Sequence, residues 1–170
     1  MSDSDRLARI DALVMDVDGV LTDGNYWWGA NGEEMKRFCF ADSTGISVAM
    51  KAGLRIALIS GDSTESGMKL VQRFADKLGI IHVYKGCHDK AGAVRDFAAK
   101  NSLQLEEICF VGDDFIDVPA FEIVGLSVAP ADAQPCARQK AKLITRLGGG
   151  QGAVREVIDS ILNIITPRES

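Results

Sequence analysis

No stretch of the 170 residues approaches the ~18 consecutive apolar residues of a membrane-spanning helix, so no membrane partner is expected. Positive charge is in deficit: 19 Lys+Arg stand against 24 Asp+Glu, a net charge of -5. That balance argues against nucleic acid as a general partner, yet leaves room for a small anion in a locally positive pocket. Paired cysteines are missing as well. Cys39, Cys87, Cys109 and Cys136 lie far apart with no C-x-x-C spacing, which argues against structural zinc and for reduced, mostly buried thiols. The opening SDSDRLARID is charged throughout where a secretory leader needs an apolar core, and a cytoplasmic location is expected. There is no repeat, low-complexity tract or linker. A chain of this length is expected to form one domain, 1–170, that buries its core without disulfides.

What is present is an alternation of short apolar runs and helical segments. Ala12–Met15, Arg55–Ile59, Ile80–Tyr84, Glu107–Val111, Leu126–Ala129 and Leu143–Thr145 read as buried strands. Between them, Ser43–Lys51, Glu65–Leu78, Lys90–Asn101, Phe115–Val124, Ala133–Lys140 and Val154–Ile165 read as helices, several closed by a glycine. Asn25–Phe40 has two strand-like arms around Ala30-Asn31-Gly32, a hairpin signal. Strands alternating with helices mean βαβ units. The expected fold is α/β: a Rossmann-like three-layer domain with a mainly parallel sheet. A hairpin flap at about 25–40 and a C-terminal tail at about 148–170 complete it.

The stretch VMDVDGVLTDG runs apolar residues straight into two carboxylates, Asp16 and Asp18, and then glycine. Carboxylates that close repel one another, so a cation should sit between them or one should stay protonated. In open parallel sheets ligands bind beyond the carboxyl ends of the strands. Successive strand ends here deliver Asp16 and Asp18, then Ser60-Gly61, then Lys90, then Asp113, Asp114 and Asp117. Several carboxylates with one lysine make a hard-cation site, and magnesium takes carboxylates, water and a substrate phosphate. Ser60, the free N–H of Gly61 and Lys90 are what the remaining phosphate oxygens would need. A carboxylate can attack phosphorus, which suits Asp16 at the strand end. The leaving alkoxide needs a positioned acid/base, which suits Asp18 past the bend at Gly19.

DVDGVLTDG, ISGD, Lys90 and GDDFID, in this order, resemble the four-motif signature of the haloacid dehalogenase superfamily of phosphotransferases. The resemblance spans about the whole chain. It implies that Asp16 is nucleophile and magnesium ligand, that Asp18 is acid/base and ligates through its carbonyl, and that Asp113 completes the metal site. Asp114 or Asp117 would orient Lys90 or the metal waters, with a helix N-cap the alternative for Asp117. Neither the interval before Ser60 nor that before Lys90 has room for the lid domain of many members. The hairpin, VGLSVAPADA and GGGQGAVRE are similar to capless sugar-acid phosphatases, which implies a homotetramer whose hairpins roof neighbouring sites. Within that branch the resemblance points first to a 2-keto-3-deoxy sugar-acid phosphate, 3-deoxy-D-manno-octulosonate 8-phosphate of lipopolysaccharide synthesis. The alternative is a nononate or N-acylneuraminate 9-phosphate of sialic-acid-type metabolism. The octulosonate enzymes usually carry arginine where this chain has Asp62. An acid there and Asp42-Ser43 at the hairpin exit are closer to the nononate enzymes. Asp42, Ser43, Asp62 and Arg73 are therefore candidate substrate contacts.

Two other classes compete. A phospho-accepting receiver domain also gathers carboxylates, a hydroxyl and a lysine around magnesium, but its phosphorylated aspartate lies after a later strand. A non-catalytic oligomerisation module, like the C-terminal domain of some sialate cytidylyltransferases, shares the later segments but tends to lose its carboxylates. Bland readings also stand: His82 as a packed residue, His88 as a solvated one, and Trp27-Trp28 with one ring facing the core and one a neighbouring subunit, where the alternative is that they line a substrate mouth. Glu33, Glu34, Lys36 and Arg37 read as the exposed face of a hairpin.

Overall fold

The computed structural model describes residues 3–164, so Ile165 of the expected closing helix and the rest of the tail lie outside the described residues. The helices are α1 (Asp3–Leu7), α2 (Phe40–Lys51), α3 (Glu65–Leu78), α4 (Lys90–Asn101), α5 (Val118–Phe121), α6 (Pro135–Lys140) and α7 (Ala153–Ile161). The strands are β1 (Ala12–Asp16), β2 (Trp27–Trp28), β3 (Glu34–Met35), β4 (Arg55–Ile59), β5 (His82–Tyr84), β6 (Ile108–Val111), β7 (Leu126–Ala129) and β8 (Leu143–Ile144). Six of them form a parallel sheet in the order β5-β4-β1-β6-β7-β8.

Strand β1 is buried along its whole length, which is why it reads as an unbroken apolar run rather than an alternation. Successive side chains go to opposite faces. Leu13, Met15, Leu58 and Val111 pack with Ile46 of α2, Val71 of α3 and Ile158 of α7. Val14, Ala57, Ile59 and Phe110 pack with Val94 and Phe97 of α4 and Phe121 of α5. The result is the expected three-layer arrangement. The chain leaves β1 towards β4 and β5, then crosses back to β6 on the other side, so the sheet's switch point lies between β1 and β6. A crevice opens there, beyond the strand ends.

Two helix starts bring chemistry with them. Thr64 Oγ accepts the Gly67 N–H at 3.1 Å and begins α3, which ends at Gly79 in the left-handed conformation. Asp89 accepts the Gly92 N–H at 2.8 Å and begins α4, placing Lys90 as its first residue. Gly19, φ +85°, turns the chain after β1, and a Cβ there would fall 2.1 Å from Asp113 Oδ2. The Gly148–Gly152 loop then buttresses this turn: Gly150 N–H donates to the Val20 carbonyl at 2.9 Å, and a Cβ on Gly149 would meet the Gly19 carbonyl oxygen at 1.9 Å.

Several expectations change. The hairpin arms shrink to two residues each around a Gly29–Glu33 turn, and both tryptophans are exposed rather than one facing the core. The helix expected over 115–124 resolves into a 3-10 turn, Phe115–Asp117, followed by α5 with Pro119 in its first turn. Asp42 does not line the crevice at the switch point. It is fully buried, accepting N–H bonds from Arg155 at 2.8 Å and Gly152 at 3.3 Å, and so it caps α7 across the α2–α7 interface. Asp42→Ala is expected to cost about 1–3 kcal/mol by stranding those donors, read as a lower denaturant midpoint, with KM unchanged. A raised KM with unchanged stability would restore Asp42 as a substrate contact.

Candidate active site

A cavity of about 470 Å³ opens at the switch point, a size suited to a small molecule. Asp16, Asp18, Asp23, Asp62, Asp113, Asp114 and Asp132 line it, together with Gly61, His88 and Gln134. An anionic phosphate would be repelled by such a wall. The ammonium groups lie behind these carboxylates, and each is already shared.

The first ammonium is Lys90. Its side chain is wholly buried, with Nζ 2.6 Å from Asp16 Oδ2 and 2.7 Å from Asp117 Oδ1. Asp117 Oδ2 accepts from the N–H groups of Asp113 at 2.9 Å and Asp114 at 3.0 Å, which folds the Gly-Asp-Asp turn around it. Asp117 is thus the residue that orients Lys90, while Asp114 caps the 3-10 turn through the Phe115 N–H. Asp16 Oδ1 accepts from its neighbour's N–H, Val17, at 2.7 Å. Oxygens of Asp16, Asp113 and Asp117 lie within 4.8 Å of one another.

One ammonium does not balance three carboxylates. Burial pushes Asp16 up to about 7, with Lys90 opposing and Asp117 adding to the rise. Burial, then the neighbouring Asp16, pushes Asp113 up to about 8. Lys90 itself would be lowered by burial, but Asp16 and Asp117 outweigh that and keep it charged. A compact set of carboxylate oxygens with surplus negative charge and no thiol among them fits a hard divalent cation.

The phosphate-holding candidates divide. Gly61 lines the cavity beside His88, whereas Ser60 is fully buried and its hydroxyl accepts the Asp62 N–H at 3.2 Å. Arg73 and Ser43 line a separate cavity of about 250 Å³ with Phe38, Phe40 and Lys77. The fold does not bring those two to Asp16.

Lys36 was hidden from sequence reasoning, having been assigned to an exposed charged face. It turns inward instead, 3.0 Å from Asp18 Oδ1 and 2.8 Å from Asp62 Oδ2. The arm alternates with a period of two, Glu34 and Lys36 covered and Met35 and Arg37 exposed, but with the apolar Met35 outside no sequence pattern marked it. Burial would lower Lys36, but its bonds to Asp62 and Asp18 raise it. Hydrogen bonds from Lys36 and Thr64 outweigh burial and hold Asp62 below the usual carboxylate range. His88, Asp23, Asp132 and Gln134 also line the cavity; Asp132 accepts the Gly149 N–H at 2.8 Å, tying the glycine loop to its wall.

The raised values fix a pH dependence. Asp16 and Asp113 bind their protons more tightly when folded than unfolded, so their contribution to stability is complete below their unfolded pKa. The metal-free protein should therefore lose melting temperature as pH climbs from about 4 through about 8, and magnesium should restore it at the alkaline end. A flat profile, or one rising with pH, would contradict this charge distribution.

Residues 59–158 match the family model described as haloacid dehalogenase-like hydrolase. Over 154 residues the chain is 45% identical to the 3-deoxy-D-manno-octulosonate 8-phosphate phosphatase KdsC of Escherichia coli K12, covering 91% of this chain and 80% of that one. The crystal structure of the Yersinia pestis phosphatase of that name superposes with a TM-score of 0.89 at 42% identity, covering 96% of this chain and 87% of that one. The Moraxella catarrhalis phosphatase, solved with magnesium, phosphate and KDO, gives a TM-score of 0.89 at 32% identity, covering 94% and 90%. Sequence, sheet order and the carboxylates gathered at the switch point agree: the chain belongs to the haloacid dehalogenase-like hydrolase family.

Proposed function

We propose that this protein is a magnesium-dependent phosphatase of a 2-keto-3-deoxy sugar-acid phosphate, 3-deoxy-D-manno-octulosonate 8-phosphate first, acting through an aspartyl-phosphate on Asp16. The observation that carries the chemistry is Asp16 at the end of β1, held at 2.6 Å by a buried lysine and backed by Asp117. The relatives named for octulosonate 8-phosphate, at 45% identity, support the substrate.

In this reading Asp16 attacks phosphorus and the phosphorus–ester oxygen bond breaks. Asp18 gives the leaving oxygen its proton, then takes one from the water that hydrolyses the acyl-phosphate. Asp16, Asp113 and the Asp18 carbonyl would hold magnesium, which supplies positive charge against the phosphoryl oxygens. Lys90 favours the ionised form of Asp16 against burial and orients it, and with the Gly61 N–H offsets phosphoryl charge. Ser60, buried beneath the same loop, shapes the phosphate site through the Asp62 N–H.

The nine-carbon alternative has one observation in its favour, the acidic Asp62 lining the cavity. Its pairing with Lys36 removes much of the penalty that a lone carboxylate would impose on an anionic substrate, so the eight-carbon acid remains compatible. A lysine buried between two carboxylates is costly to keep in a module with no chemistry, which weighs against the scaffold reading. Assembly as a homotetramer belongs to the same proposal, supported by the exposed Tyr26, Trp27, Trp28 and Met35 of the hairpin. So does a cytoplasmic location; no helix of the described residues is long and apolar enough to cross a membrane.

Phosphate release with magnesium tests this on octulosonate 8-phosphate, nononate 9-phosphate, N-acetylneuraminate 9-phosphate and hexose phosphates. The eight-carbon acid should turn over fastest, and Asp16→Asn should abolish turnover while melting as a folded protein. Preference for a nine-carbon acid would move the substrate, and near-normal activity in Asp16→Asn would remove the nucleophile. Release from none of them would favour the scaffold. Lys90→Ala should lower kcat by at least about a hundredfold, the scale of a lost electrostatic contact to the reacting group.

A further inference from the structure

Lys36 has no part in the chemistry described so far, yet its surroundings are unusual for a lysine on a hairpin. Its side chain is 3% exposed. Its ammonium donates to Asp62 Oδ2 at 2.8 Å and faces both Asp18 oxygens, Oδ1 at 3.0 Å and Oδ2 at 3.2 Å, with Glu34 farther off at 3.7 Å, three carboxylates from three separate segments. An ammonium has three donors and no acceptor, so this arrangement commits it fully.

The placement of that ammonium is set from outside the cavity. The hairpin has no core of its own, since β2 and β3 pair over two residues each and most of their large side chains are exposed. Its return arm is pinned by the Thr22–Phe38 bridge, by Phe38 stacked on Phe74 at 4.3 Å, and by Arg37 on Asp23 at 2.9 Å. Lys36 lies within this pinned arm. Asp18 contrasts with it: its carboxylate stands on the loop past β1, its side chain is 36% exposed, and among the described residues Lys36 supplies its one ion pair. A carboxylate so placed is free to rotate unless something holds it.

We propose that Lys36 is a positioning residue. Its ammonium, delivered by the hairpin, fixes the Asp18 side chain beside the leaving oxygen, so that the proton Asp18 carries into the first half-reaction is delivered there, and it neutralises Asp62 alongside. The proposal rests on Asp18 as the acid/base. It makes the chemistry depend on the seating of the hairpin, and it predicts a selective defect, because orientation of an acid matters only where a proton is needed.

The test isolates the first half-reaction, in which the Asp16–phosphorus bond forms, the phosphorus–ester oxygen bond breaks, and the Asp18 proton passes to an alkoxide. With protein in excess and magnesium present, single-turnover release of sugar acid from the fastest sugar-acid phosphate is compared with release of p-nitrophenolate from p-nitrophenyl phosphate. The nitrophenolate departs as a stable anion and needs no proton. A positioned general acid contributes about 10²–10⁴-fold, so Lys36→Met should slow the sugar ester at least about tenfold more than the aryl ester. Lys36→Gln, one bond shorter but with an N–H donor and no charge, should show the same selectivity and covers poor folding of the first variant. Equal slowing of both esters would make Lys36 merely structural, and no slowing of either would make it idle; each overturns the proposal. A parent protein that releases neither alcohol would overturn the proposed function itself, and this inference with it.

Discussion

One buried ammonium set against three carboxylates governs the centre of this molecule. Lys90 pairs with Asp16 and Asp117, and among the described residues Asp113 is left beside them without an ion pair of its own. Taking such charges out of water is costly unless each is paired and hydrogen-bonded. The surrounding chain supplies much of that pairing: Asp117 takes two backbone N–H groups from the turn after β6, and Asp16 takes one from Val17. Lys90 is held at the first turn of α4 by the Asp89 cap, and Gly19 clears the space that Asp113 occupies. The remaining imbalance shows as two carboxyls whose protons are held up to about 7 and about 8. A divalent cation is what this set of oxygens would exchange those protons for.

Much of this was legible in the sequence, for a definite reason. In a parallel sheet covered on both faces a strand is an unbroken apolar run, and the first polar residues after each run fall at the same edge. Asp16, Gly61, Lys90 and Asp113 could therefore be brought together before any coordinates. What escaped depends on partners far along the chain or on which way a short arm turns. Asp42 looked like a substrate contact because it lies just past the hairpin, but the N–H groups it caps lie 110 and 113 positions later. Lys36 sits in a run of charges that any pattern count assigns to solvent, and nothing local says that an arm pinned by the Thr22–Phe38 bridge brings it to Asp18 and Asp62. The tryptophans erred in the opposite sense, since a large apolar ring on a two-residue strand has no core within reach.

The same geometry separates reaction from substrate. In the proposed reaction the groups that would handle phosphorus sit at strand ends fixed by the sheet, whereas Asp62, on the loop after β4, and Lys36, on the hairpin, pair at the edge of the cavity. Asp62 would stand as a bare negative charge in the cavity, but Lys36 crosses from the hairpin to pair with it, so the lip of the site is less acidic than its composition suggests. Arg73 and Ser43 line the second cavity, and Lys36 lines it with them. The hairpin thus sets the charge at the mouth of the site while the sheet sets the chemistry at its floor.

The central claim is that surplus buried carboxylate at the switch point creates the demand for a divalent cation. Calorimetric titration of magnesium into the metal-free protein near pH 6.5, repeated in buffers of different ionisation enthalpy, measures both binding and the protons released. With Asp16 and Asp113 holding protons up to about 7 and about 8, binding should release between about one and two protons, and Asp113→Asn should abolish both binding and release. Tight binding with no proton release, or binding that survives Asp113→Asn, would mean that the cation is held elsewhere and that the charge imbalance does not explain it.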